Sequence, residues 1–98
     1  MVYRITWSPS SKNSYFEILD YLDIAWGTKE RNNFIARTEE VIYLISTNPF
    51  LYPPSKIKAN IHRCVVAKQV NLFYQINQNH IELLLFWDNR KDPKKLEI

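Results

Sequence analysis

Hydrophobic and polar residues follow two successive spacings in the first quarter of the chain. They alternate from Val2 to Trp7, which predicts a half-buried strand. Ser8 and Pro9 then favour a helix start, because serine caps a first turn well and proline has no N–H to leave unpaired there. Apolar residues recur at helical spacing from Ser10 to Trp26. We therefore predict a strand followed by an amphipathic helix.

A second helix is predicted to follow almost at once. Gly27, the only glycine in the chain, suits the end of the first helix because it adopts positive φ without strain. Thr28 is the expected cap of the next helix, whose apolar spacing continues to about Thr47 before Asn48 and Pro49 end it. So short a connection forces the two helices to run antiparallel.

The rest of the chain predicts one loop and three strands. The loop spans Asn48–Asn60 and contains three prolines. Strands are predicted at Ile61–Ala67, Gln69–Ile76 and Ile81–Trp87, with a turn at Asn77–Asn79 before the last one. In that last strand, strict alternation is expected to place Ile81, Leu83, Leu85 and Trp87 on one face and Glu82, Leu84 and Phe86 on the other.

The order of these elements predicts an α+β fold, β-α-α-β-β-β, that forms one domain over residues 1–98. The last three strands are expected to form an antiparallel meander that joins the first strand in a single sheet. The helical hairpin is expected to cover one face of that sheet. The other face then stays partly open or meets a partner.

Composition narrows the setting of this fold. Of 98 residues, 46 % are hydrophobic and 23 % charged, which suits a folded chain with one core. The single cysteine, Cys64, cannot form an internal disulfide, and the chain starts without a signal-peptide pattern, so we expect a cytoplasmic protein. No apolar run is long enough to span a membrane. The few histidines and cysteines show no metal-ligand spacing, so we expect neither a metal nor a cofactor.

Charge is unevenly distributed along the chain. Residues 1–54 contain five Lys or Arg and six Asp or Glu, a net charge of −1, whereas residues 55–98 contain eight and four, a net charge of +4. A basic C-terminal half favours an anionic partner, either a nucleic acid or an acidic protein segment. A solvated basic surface without a partner is the simpler alternative.

Several motifs in this order resemble the RelE/ParE toxins of bacterial type II toxin–antitoxin systems. The resemblance spans nearly the whole chain. It includes the opening strand with Trp7-Ser8-Pro9, the helical hairpin and the Asn48-Pro49 loop. It also includes Val70–Ile76, which is similar to the family's third-strand segment. The clearest part is Phe86–Leu96, FWDNRKDPKKL, which is similar to the family's last strand followed by a D-x-R-x-x-P pattern.

This resemblance implies a growth-inhibiting toxin that a cognate antitoxin neutralises. Family members act either on DNA gyrase without being nucleases, as ParE-like toxins do, or as ribosome-dependent mRNA endoribonucleases, as RelE-like toxins do. A homodimer or a toxin–antitoxin hetero-oligomer is expected. A module that only binds a partner protein, without toxicity, is the alternative outside the toxin class.

If the chain is a ribonuclease, three cations are the candidates for its chemistry. Metal-free RNA cleavage requires a base, an acid and cations that stabilise the phosphorane charge. Arg90 matches the family's arginine after the last strand, where it would hold phosphate; the alternative is an ion pair with Asp88 or Asp92. Arg63 and Lys68 are expected to face the same cleft as Arg90, or else to be solvated strand charges.

A wider set of cations is the candidate for binding a partner or a nucleic acid. Its members lie in the loop before the second strand, in the β-meander and after the last strand. They are Lys56, Lys58, Arg63, Lys68, Arg90 and Lys91. The alternative for the loop lysines is that they serve solubility alone.

Other chemically active residues give a weaker signal. His62 is a general base by residue type, but it is also placed to end a strand. Tyr74 is expected in the core because it alternates with apolar neighbours, and Cys64 is expected to be a small buried residue. The chain departs from RelE-like ribonucleases at two positions. Those proteins tend to carry an arginine in the third-strand segment, where this chain has Asn71. They also tend to carry a tyrosine or histidine after the last strand, where this chain has Leu96. We therefore favour ParE-like action.

Overall fold

The structure, a computed structural model, describes residues 2–56, 58, 60–91 and 93–96. It confirms the predicted α+β class and the order β-α-α-β-β-β, with a short 3-10 turn after the last strand. The elements are β1 (Arg4–Trp7), α1 (Pro9–Ala25), α2 (Thr28–Thr47), β2 (Ile61–Ala67), β3 (Val70–Ile76), β4 (His80–Asp88) and the turn Pro93–Lys95.

One four-stranded sheet has the strand order β1-β4-β3-β2. The predicted antiparallel meander is confirmed, because β2 pairs with β3 and β3 with β4 in antiparallel registers. β1 lies parallel to β4 at one edge, with Arg4 opposite His80. The backbone N–H of Tyr3 donates to the carbonyl of Ser46 (2.8 Å), which ties the start of the sheet to the end of α2.

The observed helix ends agree with those predicted from the sequence except at one position. Ser8 caps α1 as predicted, since its Oγ accepts from the Ser11 N–H (3.0 Å). Gly27 takes the predicted positive φ of 97°, and its N–H donates to Leu22 O (2.9 Å). The prediction that Thr28 caps α2 is wrong by one residue, because Gly27 itself occupies the cap position. Within the described ranges, neither helix is long and apolar enough to cross a membrane.

The core lies between the helices and one face of the sheet, the covered face. Tyr74 is fully buried there and its hydroxyl donates to Pro49 O (2.8 Å), so its predicted place in the core is confirmed. Cys64 is only 1 % exposed, which confirms its predicted burial, and this burial raises the pKa of its thiol. The buried apolar members of the core are Leu19, Phe34, Val41, Ile45, Cys64, Val66, Val70, Leu72, Tyr74, Ile81, Leu83 and Phe86.

A β-bulge in β4 changes which side chains face the core. Tyr74 is opposite Leu83 but Phe73 is opposite Leu85, so Leu84 is an extra residue. Beyond it, Phe86 points into the core while Leu85 is only partly buried. The prediction of strict alternation along the whole strand is therefore wrong after Leu83. Periodicity alone does not reveal an inserted residue, because every residue of this stretch is apolar.

Helix α1 supplies the hydrogen bonds that the bulge requires. The N–H of Phe86 donates to Ser14 Oγ (3.0 Å). Ser8 Oγ donates to Leu84 O (2.9 Å), and the Ser8 N–H donates to Leu83 O (3.0 Å). These groups would otherwise be left without partners where the strand ladder is interrupted. The bulge is thus held in place by Ser8, the cap residue of α1, and by Ser14 in the second turn of the helix.

Candidate functional site

A groove runs between the helical hairpin and the β2–β3 hairpin, with a cavity volume of about 800 Å³. We call it the helix groove. Two of its aromatic residues, Tyr21 and Trp26, are exposed. Its floor is formed by Ile18, Leu22, Phe34, Ala67 and Val70, and its rim by Glu17, Tyr21, Trp26, Glu30, Lys68, Gln69, Asp88, Arg90 and Lys91.

Arg90 lies at this rim in a tight cluster with Asp88 and Tyr21. Its Nη2 is 2.6 Å and its Nε 3.2 Å from Asp88 Oδ2, while Nε is 3.0 Å from Asp88 Oδ1. Nη1 donates to the Tyr21 hydroxyl (3.3 Å), and the guanidinium carbon lies 5.1 Å from the centre of that ring. The ion pair with Asp88, one of the two alternatives for Arg90, is therefore present. Asp92, the other acid considered for it, lies outside the described residues.

The cluster also shifts the acidity of both partners of Arg90. Hydrogen bonds from the Arg90 guanidinium hold the pKa of the Asp88 carboxyl below its ordinary value. The hydrogen bond from Arg90 likewise lowers the pKa of the exposed Tyr21 hydroxyl. Both effects favour the anionic forms beside a guanidinium that stays charged. Arg90 is thus largely neutralised by its neighbours and offers few open donors to a phosphate.

A second recess lies on the opposite, open face of the sheet, where neighbouring strands align their side chains in two rows. One row runs Arg63–Phe73–Leu85 and the other Val65–Asn71–Trp87, as read from the strand registers. The recess has a cavity volume of about 290 Å³, and we call it the open-face pocket. It is lined by Ser55, Lys56, Arg63, Asn71, Phe73, Trp87, Asn89, Lys91 and Leu96.

Asn71 in this pocket has an incompletely satisfied side chain. It is only 5 % exposed. Its Nδ2 donates to Asn89 Oδ1 (3.0 Å), but its Oδ1 is buried and accepts no hydrogen bond within the part of the chain that the structure describes. Buried polar atoms are nearly always paired, so such an atom indicates a missing partner. The sequence did indicate Asn71 as a departure from the family pattern, but not this open acceptor.

The predicted cations fall into two groups rather than one cleft. Lys68 and Arg90 line the helix groove, as expected of that pair, whereas Arg63 lines the open-face pocket. The expectation that Arg63 shares their cleft is wrong, because β2 points its buried neighbour Cys64 to the covered face and therefore Arg63 to the other. Lys91 lines both recesses.

The loop lysines also separate from one another. Lys56 lines the open-face pocket, and Lys58 is exposed outside the linings of both recesses. Lys91 lies between the two recesses: its Nζ is 4.0 Å from Glu17 Oε2 and 5.7 Å from the centre of the Trp87 ring. Three aromatic residues line these sites but were not predicted as site residues: Tyr21, Trp26 and Trp87. The sequence shows each of them only as a large aromatic residue at the margin of a predicted apolar face.

His62 is built into the core rather than into either recess. Its ring is buried, its Nδ1 lies 2.8 Å from Tyr52 O, and it stacks on Tyr74 with 5.5 Å between ring centres. A histidine so enclosed has no access to an RNA hydroxyl, so His62 is not placed to act as a general base. It serves instead as a buried residue of β2. Among the described residues, no group of three His, Cys, Asp or Glu side chains is placed to hold a metal.

Several solved structures of similar fold come from toxin–antitoxin systems. The chromosomal ParDE system from P. aeruginosa matches with a TM-score of 0.76 at 10 % identity, over 89 % of this chain and 96 % of that one. The E. coli DinJ-YafQ toxin-antitoxin complex matches with a TM-score of 0.63 at 9 % identity, over 92 % of this chain and 96 % of that one. The YoeB dimer from Staphylococcus aureus matches with a TM-score of 0.58 at 19 % identity, over 87 % of this chain and 94 % of that one. No protein-family model and no curated protein sequence matches the chain.

Proposed function

From the RelE/ParE-type toxin fold of this chain we infer that it is the toxin of a type II toxin–antitoxin pair, which inhibits growth and is neutralised by a cognate antitoxin. The observation that carries this proposal is the near full-length likeness to a chain of the ParDE system, 89 % of this chain and 96 % of that one. Similar folds in a toxin-antitoxin complex support the antitoxin partner.

For the mode of action we propose a ParE-like binding event on DNA gyrase rather than cleavage of RNA. Metal-free cleavage needs a base and an acid at the reacting phosphate. The described residues that line the open-face pocket include no histidine, tyrosine or carboxylate, and His62 is enclosed in the core. The basic residues there can hold an anion, but the groups that usually move protons are not among them.

The helix groove is the proposed docking site of the antitoxin. Its floor is apolar, and Lys68 and Lys91 contribute positive charge at its rim. A segment with an apolar face and acidic flanks would complement both features. We therefore expect the affinity to fall as salt rises, since the charged part of the contact lies at an exposed rim.

Induction of the gene alone, and together with a neighbouring open reading frame of antitoxin size, tests the proposal. We expect growth to stop in the first case and to continue in the second. Normal growth after induction of a folded chain would instead support the non-toxic binding module. In the same cells, a change in plasmid supercoiling before any loss of RNA would support action on gyrase. Unchanged supercoiling by purified gyrase at high toxin excess would reject it.

Docking in the helix groove is tested with two exposed apolar residues at the end of α1. Trp26 lines the groove and is 67 % exposed, whereas Ile24 is 88 % exposed and is not among the groove's described lining residues. We expect Trp26→Ser to weaken antitoxin binding at least tenfold, as buried tryptophans at interfaces commonly do, and Ile24→Ser to leave it unchanged. Equal effects of the two substitutions would refute docking in this groove.

One observation favours the RelE-like alternative, a ribosome-dependent mRNA endoribonuclease. Lys56, Arg63 and Lys91 meet around the open-face pocket, where they could hold a phosphate. Primer extension on translated messages after induction tests it. Intact messages during growth arrest would exclude cleavage. If messages are cut, an Arg63→Gln variant that cuts as well as the wild type would exclude a catalytic role for this residue of the open-face pocket.

A further inference from the structure

The longest stretch of the chain without a charged side chain covers residues 41–55, which contain no Asp, Glu, Lys, Arg or His. It includes the end of α2 and the loop that follows. Three of its large side chains are exposed, and so is Val2 at the start of the chain. We call these four residues the end patch: Val2, Tyr43, Phe50 and Leu51. Exposed apolar side chains that lie together without charges mark interaction surfaces.

Hydrogen bonds bring the parts of the end patch to one end of the fold. The N–H of Tyr3, the residue after Val2, donates to Ser46 O (2.8 Å). Ser46 Oγ in turn donates to Tyr43 O (2.6 Å). The loop with the other two members begins directly after α2, at Asn48. The start of the chain, the end of α2 and this loop therefore share one surface.

The loop of the end patch is held by buried groups of the core. The Tyr74 hydroxyl donates to Pro49 O (2.8 Å), and His62 Nδ1 lies 2.8 Å from Tyr52 O. The Phe50 ring meets the His62 ring edge to face, with 5.8 Å between ring centres. The exposed side chains between these anchors are thus fixed before a partner arrives, which lowers the entropic cost of binding one.

We propose that the end patch is the contact between two copies of this chain related by a two-fold axis. Such an axis sets the same residues of both copies against each other, so a surface of one charge repels itself. The outer side of α1 is acidic and the open-face pocket is basic. Their charged residues are Glu17, Asp20 and Asp23 on α1 and Lys56, Arg63 and Lys91 at the pocket.

The end patch avoids this repulsion because its own residues are uncharged. It combines aromatic and aliphatic side chains, as the centres of dimer interfaces do. Exposed, uncharged neighbours of the patch would form the rim of the contact; they are Thr47, Asn48, Pro53 and Pro54. This inference goes beyond the proposed toxin function and stands without it.

The size of the end patch predicts a weak dimer. A standard interface buries about 800 Å² per partner, about an eighth of the 6487 Å² surface of this chain. Tyr43 and Phe50 are 66 % and 68 % exposed, and aromatic side chains bury roughly 150–250 Å² each, so the patch supplies only part of that area. We therefore expect a Kd in the micromolar range.

The proposed contact leaves the helix groove open. Because α2 rises about 1.5 Å per residue, Tyr43 lies roughly 20 Å along the helix from Glu30 at the rim of the groove. A protein segment in the groove and a second copy at the end patch can therefore bind at the same time. We expect binding of either one to leave the affinity for the other unchanged.

Analytical ultracentrifugation of the purified chain tests the proposal. Between about 1 and 500 µM we expect the mass to rise from that of one chain towards that of two. Molar salt should not weaken this association, since the end patch contains no charged side chain. A single-chain mass throughout would overturn the proposal. A dimer that dissociates at high salt would also overturn it, because its contact would lie on the charged surfaces.

Two exposed phenylalanines supply a matched pair of variants. Phe50 is 68 % exposed and contacts the His62 ring, whereas Phe16, on α1, is 59 % exposed and contacts the Tyr15 ring. Phe50→Ser should raise the Kd of the dimer at least tenfold, and Phe16→Ser should leave it unchanged. Urea unfolding checks that both variants fold. Equal effects of the two substitutions would overturn the end patch as the site.

Isotope-filtered NMR on a mixture of labelled and unlabelled chain requires no variant. Where the dimer predominates, we expect contacts between copies that join the methyl groups of Val2 or Leu51 to the rings of Tyr43 or Phe50. Contacts between copies at other residues instead would overturn the end patch. A monomeric wild type whose growth arrest is removed by Phe50→Ser alone would assign the patch to a different protein and so overturn the dimer.

Discussion

The two faces of the sheet are formed by the same strands but have different roles. On the covered face, Leu72, Tyr74 and Leu83 are fully buried against the helices. On the open face, the same strands present Arg63, an unsatisfied Asn71 and a partly exposed Trp87. Because successive side chains of a strand point to opposite faces, the same strands contribute to stability on one face and present recognition groups on the other.

The two recesses differ in a similar way. In the helix groove, the charge of Arg90 is matched by a bidentate contact to Asp88. In the open-face pocket, Arg63 forms no ion pair within the described ranges, and Asn71 Oδ1 accepts no hydrogen bond there. In the groove, Arg90 is thus largely neutralised while Lys68 and Lys91 contribute positive charge at the rim, whereas the pocket keeps polar groups available. An apolar partner segment with acidic flanks suits the first and an anionic ligand with N–H donors suits the second.

The largest expected effect comes from the β4 bulge, which decides the face of two neighbouring residues. Phe86→Ala should lower the free energy of unfolding by about 3–5 kcal/mol, because it removes a buried aromatic ring. Leu85→Ala should cost about 1 kcal/mol, since Leu85 is only partly buried on the open face. Urea unfolding measures both. The reverse order of costs would show that β4 alternates without a bulge.

The same substitution on two neighbouring residues of β2 should give the next largest difference. Val66 is 1 % exposed and Val65 is 54 % exposed. Val66→Thr should destabilise the chain by about 1–3 kcal/mol, because it buries a hydroxyl, whereas Val65→Thr should stay within about 0.5 kcal/mol of the wild type. Thermal and urea unfolding compare the pair. Similar losses in both would mean that the open face of β2 is covered.

A smaller effect is expected where α1 supplies an acceptor to the bulge. Ser14→Ala removes the Oγ that accepts from the Phe86 N–H, so we expect a loss of about 1 kcal/mol. Ser10→Ala, an exposed serine on the same helix, is the control and should change stability by less than about 0.5 kcal/mol. Faster hydrogen exchange of the Phe86 amide in Ser14→Ala alone would locate the loss at the bulge.

The smallest effect is expected at the rim of the helix groove and depends on pH. Because hydrogen bonds from Arg90 lower the pKa of Asp88 below 3.8, ionised Asp88 adds stability above about pH 4, and this is lost as pH falls through the lower folded value. Asp88→Asn should therefore be less stable than the wild type at pH 7, with the difference disappearing towards pH 2. A difference that grows on acidification would contradict the ion pair.

Much of the fold follows from local pattern. Alternation in Val2–Trp7, the Ser8-Pro9 start and the single Gly27 predict the order of elements, because capping, positive φ and spacing act between near neighbours. The same reasoning predicted the burial of Tyr74. It missed the shift at Leu84, since a run of five apolar and aromatic residues from 83 to 87 satisfies either register.

Local patterns along the chain specify the elements, their order and the cationic second half. Which cations meet depends on long-range contacts, which bring Arg63 to Lys56 and Lys68 to Arg90. Spacing along a strand sets the face of a side chain, but strand pairing, a bulge and the covering helices set its neighbours. Those long-range contacts also left Asn71 Oδ1 without a partner among the described residues, which no local pattern indicates.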